Sequence, residues 1–493
     1  MNLLIINSNS KKTYQYLHDI SAIEPNIWAG LLANSVRNIC DVFILDLEIE
    51  HLDKNQLISR VSEIAPDLIL FVVTGQNPNA SSVAMDGAVY TAELLCGYSM
   101  IAFVGPHVNA LPVETLQKHD CIDICFTNEG VYALKNIIKN GISEESLKGT
   151  KGIAYKWNSE IKLNDAEMIV PQTLLEQDLP GVAYDLMPSL DKYRTSTWHT
   201  NFTGNTSPFA SIYTSLGCFS KCSFCMINII NRTKNGEFAS DSFNIFRHWS
   251  PEFTIKQLEY LSEQGVYNLK IADEMFVYMP RHFMRLCELI IERGLKFNIW
   301  AYSRVDTAKP HYLETLKKAG VNHLALGIES ANQTVRQEID KGRFKEINIR
   351  DIVKEINNHD IGVCGNFIVG LPSDNQETMR STGDLALDLD LSNMNMYCST
   401  ALPGSPLYLK AKREGRIVPE KYSEFGFLSY DHVPDSTEFL SSAEVLQFRD
   451  SFFNSYFTNA SILNKMRSKH GDVAVENIKK MTSIRLKRKL LGD

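Results

Sequence analysis

Apolar runs alternate with amphipathic segments along residues 1–140. LLIIN (3–7) and LILFVV (68–73) contain almost no polar residues, so each predicts a strand that is buried on both faces. Similar runs predict further strands at 41–46, 100–105 and 122–127. Helical patterns lie between them, near 26–38, 53–64, 81–96 and 112–118, and another starts at 129. This alternation predicts an α/β fold that begins with a Rossmann-like, doubly wound parallel sheet over 1–140.

The pattern weakens between residues 141 and 208, which we interpret as a linker with a hairpin. GIAYKWNSEIKLND (152–165) carries two short strand-like runs around Asn158 and Ser159, which predicts a turn at these two residues. The remaining residues, including DLPGVAYDLMP (178–188), show no regular period and predict an irregular connector that packs on its neighbours.

A second series of strand candidates begins at 210. The helix pattern SPEFTIKQLEYLSEQG (250–265) opens with a Ser N-cap and a Pro and stops at a Gly, and 280–294 stops in the same way. Six strand–helix units predict a partial TIM-type (β/α)6 barrel over 209–404, because eight units would be needed to close it. The chain from 405 to 493 is predicted to be mainly helical. The strand candidates are 210–216, 268–273, 297–303, 323–329, 362–370 and 393–399.

The bulk composition favours a globular enzyme. The 493 residues are 44% hydrophobic and 22% charged, which suggests two or three domains. The formal net charge of −8 argues against a nucleic-acid partner, which would favour a basic surface. No apolar run approaches the roughly 20 residues of a membrane span, and MNLLIINSNS lacks the basic flank of a signal peptide. We therefore expect a cytoplasmic protein that acts on a small molecule, away from membranes.

The segment CFSKCSFC (218–225) concentrates three cysteines, Cys218, Cys222 and Cys225, with the spacing C-x3-C-x2-C. A structural zinc site would need a second pair, and no other C-x2-C or H-x3-H pair occurs in the sequence. Three thiolates on one loop better suit an iron–sulfur cluster, whose ligands are cysteine thiolates. With three protein ligands, a 4Fe-4S cluster would keep one iron open. The sequence therefore predicts a metal centre with an open position at the end of a barrel strand, where barrel enzymes place their chemistry.

This motif at the end of the first strand of a βα series, with Phe224 before the last cysteine, resembles the radical S-adenosylmethionine (SAM) enzymes. The resemblance covers about 205–405. It implies that the open iron chelates the amino and carboxyl groups of SAM and that reductive cleavage yields a 5′-deoxyadenosyl radical. The electron would come from an external donor such as flavodoxin or ferredoxin.

Other strand ends extend the resemblance. Acidic residues after the second strand would receive the methionine ammonium, a cation after the third would hold the carboxylate, and an acid after the fourth would contact the ribose. GNFIVGLP (365–372) is similar to the family's G-x-I-x-G-x-P segment near the adenine, although Phe367 occupies the isoleucine position. The SAM contacts implied are Phe224, Asp273, Glu274, Ser303, Arg304, Glu329, Ser330 and Gly370.

The loops VTGQNPNASS (73–82), GPHVNALPVE (105–114) and TNEG (127–130) follow the third, fourth and fifth strands of the N-terminal sheet. With these loops, the sheet resembles the cobalamin-binding domain of cobalamin-dependent radical SAM enzymes. No G-x-G-x-x-G follows its first strand, which argues against a dinucleotide. DLEIEH (46–51) does not match the D-x-H-x-x-G motif that supplies an axial histidine, which implies a cobalt with a weak or absent lower protein ligand. The cobalamin contacts implied by the loops after the later strands are Thr74, Gly75, Gln76, Asn77, Gly105, His107, Asn128 and Glu129.

Together the two resemblances imply a methyltransferase that methylates an unactivated carbon of a small-molecule intermediate. Polar residues at the barrel mouth, Tyr302, Asn366, Tyr397 and Ser399, are candidate substrate contacts. A non-methylating cyclisation, rearrangement or oxidation is the alternative. A tRNA methylthiotransferase would want a second three-cysteine site and a basic RNA-binding module, neither of which the sequence shows, and an iron–sulfur sensor would leave the strand-end motifs without a role.

Overall fold

The computed structural model describes residues 1–10, 17, 21–230, 246–339 and 348–493. Its first sheet has the strand order β2-β1-β3-β4-β5-β6-β7, in which the first five strands in the chain run parallel. Side chains of β1 alternate between two apolar cores, one on each face of the sheet. The strands are β1 (Asn2–Asn7), β2 (Asp41–Asp46), β3 (Leu68–Val72), β4 (Met100–Val104), β5 (Ile124–Phe126), β6 (Ile153–Trp157) and β7 (Glu160–Leu163).

Helices cover this sheet. The predicted helix 81–96 begins later than expected, because two single 3-10 turns, Pro78–Ala80 and Ser82–Ala84, precede it. Asn77 caps the first of these turns and Pro78 opens it. The helices are α1 (Ile27–Val36), α2 (Lys54–Ile64), α3 (Met85–Leu94), α4 (Pro106–Ala110), α5 (Pro112–Lys118), α6 (Val131–Asn140), α7 (Glu144–Gly149) and α8 (Leu175–Asp178).

The hairpin lies where the sequence predicts it, and it also lengthens the first sheet. Asn158 and Ser159 form its turn with φ values of 48° and 67°, a left-handed conformation in which Asn is well tolerated. Strand β6 pairs antiparallel with β5, so the hairpin adds two strands at the edge of the parallel sheet.

The second sheet contains six parallel strands in the order β15-β14-β13-β12-β11-β8, which is the predicted partial barrel. The predicted strand 210–216 is interrupted after Ile212, and Ser215 and Leu216 pair with a separate short strand. The strands are β8 (Phe209–Ile212), β9 (Ser215–Leu216), β10 (Arg247–His248), β11 (Asn268–Ile271), β12 (Asn298–Arg304), β13 (Val321–Glu329), β14 (Gly362–Val369) and β15 (Asn393–Cys398).

Helices pack outside the barrel strands and continue into the C-terminal region, where α17 is kinked at Gly471. No helix in the described ranges is both long and apolar enough to cross a membrane. The predicted fold class, a Rossmann-like sheet followed by a partial barrel and C-terminal helices, is confirmed. The helices are α9 (Pro251–Glu263), α10 (Pro280–Glu292), α11 (Pro310–Lys318), α12 (Gln333–Glu338), α13 (Ile349–Asn358), α14 (Gln376–Asp388), α15 (Pro406–Arg413), α16 (Ser442–Thr458) and α17 (Ala460–Thr482).

Candidate active site

Two adjoining cavities lie where the sheet and the barrel meet. The first cavity, of about 200 Å³, is lined by the loops after β1, β3, β4 and β5 and by barrel residues that include Arg247. The second cavity, of about 1080 Å³, lies at the barrel mouth and reaches the C-terminal helices. Glu24, Gln76 and Glu274 line both. The carboxyl ends of the two sets of parallel strands therefore face each other, which is where ligands of both fold types bind.

The three clustered cysteines face the second cavity. They follow β9, and Cys218 and Cys222 are each 9% exposed. The backbone N–H of Ser220 donates to Sγ of Cys218 at 3.4 Å. Burial, reinforced by the nearby charge of Glu274, raises the pKa of the Cys225 thiol. A buried thiol of this kind becomes a thiolate when a cation supplies the compensating charge, so the loop fits a metal ligand set.

The donor set differs from that of a single-ion site. Among the described residues, no group of three or more His, Cys, Asp or Glu side chains is gathered in a geometry suited to one metal ion. In a 4Fe-4S cluster each thiolate binds a separate iron, so its cysteines do not need to converge on one point.

Arg304 lies at the end of β12 beside this loop. Its Nη1 donates to Oγ of Ser220 at 2.6 Å, and its Nε donates to Oδ1 of Asp306 at 2.8 Å. Burial lowers the pKa of Arg304, but the hydrogen bond to Asp306 and the charges of Asp306, Cys222 and Cys218 outweigh it and raise the pKa. Arg304 thus places a permanent positive charge on the wall of the second cavity, next to the cysteines.

Four further candidates line the second cavity, three at strand ends and one in the cysteine loop. Burial raises the pKa of Glu274 to about 7, and the positive charge of Lys270 partly opposes this shift. Glu329 ends β13 with φ 65°, a strained conformation for a residue other than glycine, and it is 5% exposed. Ser303 and Phe224 complete the candidates on this wall, and Phe224 packs against Val335 and its neighbours.

Three candidates lie behind the cavity walls. Asp273 is fully buried and accepts hydrogen bonds from the backbone N–H and Oγ1 of Thr214 and from Oγ of Ser215, each at 2.6 Å. These bonds explain why the predicted strand 210–216 is interrupted. Oγ of Ser330 lies 3.1 Å from Oγ1 of Thr382. Gly370 has φ 78°, and a Cβ there would lie 2.4 Å from a methyl group of Val445 in α16.

Most candidates of the sheet line the first cavity: Thr74, Gly75, Gln76, Gly105, Asn128 and Glu129. Asn77 lines the second cavity instead. Gly105 has φ 149°, and a Cβ there would lie 2.0 Å from the carbonyl oxygen of Val73, so only glycine allows the loops after β3 and β4 to approach each other.

His107 lies in the short helix α4 and does not line either cavity. It is 4% exposed, its Nδ1 lies 3.0 Å from Oγ of Ser82, and its ring packs edge-on against Tyr422. Burial lowers its pKa to about 3, so the imidazole is neutral at physiological pH. The side chain supports the contact between the loop after β4, the turn at Ser82 and the C-terminal region.

Sequence reasoning missed the polar atoms that point to a ligand of the first cavity. Oγ of Ser8, Oδ1 of Asn109 and Nε of Arg247 are buried and have no hydrogen-bond partner among the described residues. All three residues line the first cavity. A ligand there would have to offer both donors and acceptors, because Asn Oδ1 accepts and Arg Nε donates. Arg247 lies in the barrel sequence, so no local pattern of the sheet could have indicated it.

The barrel lumen supplies the remaining wall of the second cavity. The four predicted substrate contacts, Tyr302, Asn366, Tyr397 and Ser399, all line it. Trp300 lines it as well, and its buried indole Nε1 has no partner in the described part of the chain. The cavity therefore combines aromatic surface with amide and hydroxyl groups.

Comparison with known proteins agrees with this site. Residues 212–386 match the family model of the Radical SAM superfamily. Enzymes of that superfamily use a 4Fe-4S cluster and SAM. An uncharacterized methyltransferase of Pyrococcus horikoshii is 25% identical over 454 residues, which cover 91% of each chain. The anaerobic magnesium-protoporphyrin IX monomethyl ester cyclase of Cereibacter sphaeroides is 24% identical over 458 residues, covering 89% of this chain and 67% of the cyclase.

The fold has a solved counterpart. The radical SAM methyltransferase TsrM from Kitasatospora setae, whose structure contains cobalamin and a 4Fe-4S cluster, superposes with a TM-score of 0.66. The match covers 97% of this chain and 99% of TsrM at 13% sequence identity. The order of sheet, partial barrel and helical C-terminal region is therefore shared over the full described architecture.

Proposed function

We propose that this chain is a cobalamin-dependent radical SAM methyltransferase that methylates an unactivated carbon of a small-molecule biosynthetic intermediate. The observation that carries the proposal is the shared wall of the two cavities: the loops of the Rossmann-like sheet and the cysteine-lined barrel mouth enclose one continuous region. When bound there, a 4Fe-4S cluster with SAM supplies a carbon radical, and methylcobalamin supplies the methyl group. The protein orients these groups and excludes water around them.

Cys218, Cys222 and Cys225 would hold the cluster, and Arg304 would hold the SAM carboxylate by a charge-assisted hydrogen bond. Glu274 would accept from the methionine ammonium, since its carboxylate lies near the cysteines on the wall of the second cavity. Glu329 would contact the ribose hydroxyl groups. An external low-potential electron donor, such as flavodoxin or ferredoxin, would reduce the centre.

The first cavity would hold part of the corrin. Its 200 Å³ is smaller than the roughly 300–1,000 Å³ typical of small-molecule sites, so the corrin would also occupy the adjoining part of the second cavity. The orphaned atoms of Ser8, Asn109 and Arg247 suit a ligand with many peripheral amides, because an amide both donates and accepts. No histidine is found among the described residues that line the first cavity.

The substrate would occupy the barrel side of the second cavity, against Tyr302, Asn366 and Tyr397. Their phenol and amide groups would orient it by hydrogen bonds, while aromatic surface such as Trp300 would exclude water. The similarity to an anaerobic cyclase over 89% of this chain supports a second candidate, a cobalamin-binding radical SAM enzyme that does not methylate. The mass of the product separates the two, because methylation adds one CH2.

The test is anaerobic purification with cobalamin supplied, followed by iron, sulfide and cobalt analysis. We expect four iron atoms and one cobalt per chain, together with 5′-deoxyadenosine after reduction in the presence of SAM. Zinc in place of iron, or a cluster in which all irons are bound by the polypeptide, would contradict the proposal. If the protein assembled the cluster but bound no cobalamin, only the radical SAM part of the proposal would stand, and the N-terminal sheet would have no assigned role.

A further inference from the structure

Lys270 carries a positive charge into the wall of the barrel. Its side chain is 1% exposed. Its neighbours in β11, Leu269 and Ile271, belong to the apolar core between strands and helices, so the alternation of the strand turns Lys270 toward the lumen. A buried ammonium group is strongly unfavourable unless nearby groups satisfy both its charge and its N–H bonds. Its position therefore depends on the groups that surround it.

Those groups come mainly from the N-terminal part of the chain. Nζ of Lys270 lies 3.0 and 2.8 Å from the two carboxylate oxygens of Glu24 and 2.9 Å from the backbone oxygen of Gln76. It also lies 4.9 Å from the ring centroid of Trp300, a favourable cation–π contact. Three acceptors match the three N–H bonds of an ammonium group, so no donor is left for a substrate. The arrangement suits a group that holds its neighbours rather than one that reacts.

Glu24 and Gln76 stand at the partition between the two cavities, since both residues line both cavities. Oγ of Ser211 in β8 donates to Oε2 of Glu24 at 3.0 Å, so two barrel strands hold the same carboxylate. Nε2 of Gln76 donates to the carbonyl oxygen of Ala22 at 3.3 Å, which ties the loop after β3 to the segment before α1. A single hydrogen-bond network around the buried ammonium group of Lys270 thus joins the barrel to the two segments that separate the cavities.

We propose that Lys270 is a positioning residue that fixes the loops of the sheet against the barrel mouth, so that the ligands of the two cavities meet in one geometry. Without the ammonium group, the segment that carries Glu24 and the loop that carries Gln76 lose a barrel side chain that anchors both of them between the two cavities. The identity of the ligands rests on the proposed function, whereas the anchor itself follows from the contacts of Lys270.

Three variants test the anchor. Lys270→Met keeps an apolar stem like that of lysine and removes the ammonium group, and the double variant Lys270→Met with Glu24→Met also removes the carboxylate that this group pairs with. Lys135→Met is the matched control, because it breaks another ion pair, with Asp178 at 2.7 Å, whose side chains are only 16% and 14% exposed and line neither cavity.

The first measurement is hydrogen exchange of the full chain. Backbone amides in peptides that cover 21–26 and 74–80 are expected to exchange about tenfold faster or more in both Lys270 variants. In these variants the two segments can open locally without first breaking the contacts of Lys270. Lys135→Met keeps those contacts and should leave the exchange rates of these peptides unchanged. Exchange rates equal to those of the unmodified protein in both Lys270 variants would overturn the inference. Should Lys270→Met not fold, the double variant alone decides.

The second measurement is electron paramagnetic resonance of chains loaded with a reduced cluster and cob(II)alamin. We expect a magnetic interaction between the two paramagnets that changes in the double variant and is preserved in Lys135→Met, at equal cofactor content. An identical interaction in the double variant would overturn the inference. If the unmodified chain takes up no cobalamin, the proposed function fails, and the hydrogen-exchange experiment still decides the role of Lys270.

Discussion

Arg247 of the barrel and Glu129 of the sheet form a buried ion pair, with 2.8 Å between Nη2 of Arg247 and Oε2 of Glu129. The two side chains are 1% and 2% exposed. Nη1 of Arg247 also donates to the carbonyl oxygen of Val170 at 2.6 Å, and the backbone N–H of Val170 donates to the same carboxylate. This pair closes one side of the first cavity and leaves Nε of Arg247 without a hydrogen-bond partner in the part of the chain that the structure describes.

Replacing Arg247 by Met is expected to destabilise the protein by about 3–5 kcal/mol, because it leaves the carboxylate of Glu129 buried and uncompensated. The double variant Arg247→Met with Glu129→Met should recover a large part of this loss, since neither charge then remains buried. Urea unfolding of the cofactor-free proteins measures both effects. If the double variant were no more stable than Arg247→Met, removal of the second charge would recover nothing and the argument from burial would be wrong.

Cys222→Ala is expected to reduce cluster iron and 5′-deoxyadenosine formation to background, because two thiolates on the loop cannot hold a 4Fe-4S cluster as three do. Cys96→Ala is the control, since Cys96 is exposed and lines neither cavity. Iron and sulfide analysis, followed by product assay with SAM and a reductant, measures both variants. Retained SAM cleavage in Cys222→Ala would be incompatible with the ligand assignment.

His107→Gln is expected to change the dependence of stability on pH. The folded pKa of His107, about 3, lies below the ordinary value of about 6.5, so the unfolded chain binds a proton more readily. Burial of His107 in its neutral form therefore costs the folded state nothing above about pH 6.5. As the pH falls toward 3, the free energy of unfolding decreases progressively, by about 3 kcal/mol near pH 4. Unfolding curves at several pH values should show an acid loss of stability that is smaller in the variant by this amount, because other buried histidines with a lowered pKa, such as His432 and His282, remain.

The same variant tests whether His107 touches cobalamin. Because the imidazole packs on Ser82 and Tyr422 rather than on the cavity wall, we expect the absorption spectrum of bound cobalamin to be unchanged in His107→Gln. A shift of that spectrum at equal cobalamin content would show that the side chain does reach the cofactor.

The fold was predictable because its signals are local. The apolar run at 41–46 and the helix at 112–118 have the bounds of β2 and α5, and the hairpin turns at Asn158 and Ser159 as expected. The interruption near Thr214 was missed, because its cause is a set of hydrogen bonds to Asp273, a residue 59 positions away. Acidic residues at strand ends look alike in sequence, whether they face a cavity or cap a neighbouring strand.

The candidate site was predictable in part for the same reason. The cysteine spacing and the order of the strand-end motifs are local patterns, and the structure brings most of their residues to the two cavities. Gly370 shows what the sequence could not predict. Its lack of a side chain leaves room for Val445 of α16, a packing contact that no local motif contains. The contact of Lys270 with Glu24 joins residues 246 positions apart, and no period or motif of either segment contains that information.

Arg304 could act by holding the cysteine loop or by binding the carboxylate of SAM, and the two roles lead to different predictions. Its Nη1 hydrogen-bonds Ser220 in the cysteine loop, while its charge faces the second cavity. If it binds the carboxylate of SAM, Arg304→Met should weaken SAM binding roughly 10- to 100-fold, because a hydrogen bond to a charged group contributes about 1.5–3 kcal/mol. Ser220→Ala removes the hydrogen bond between Arg304 and the cysteine loop. It should weaken SAM binding less than about threefold, since this bond does not involve SAM and a single hydrogen bond contributes only about 1 kcal/mol.

Equilibrium binding of SAM to cluster-loaded protein measures both variants, and iron content shows whether the loop still holds its cluster. Equal losses of affinity in Arg304→Met and Ser220→Ala, with iron lost in parallel, would mean that Arg304 acts only by holding the cysteine loop. A loss confined to Arg304→Met at full iron content would support a contact between the guanidinium and the SAM carboxylate, because Ser220→Ala removes the contact with the loop but keeps the charge.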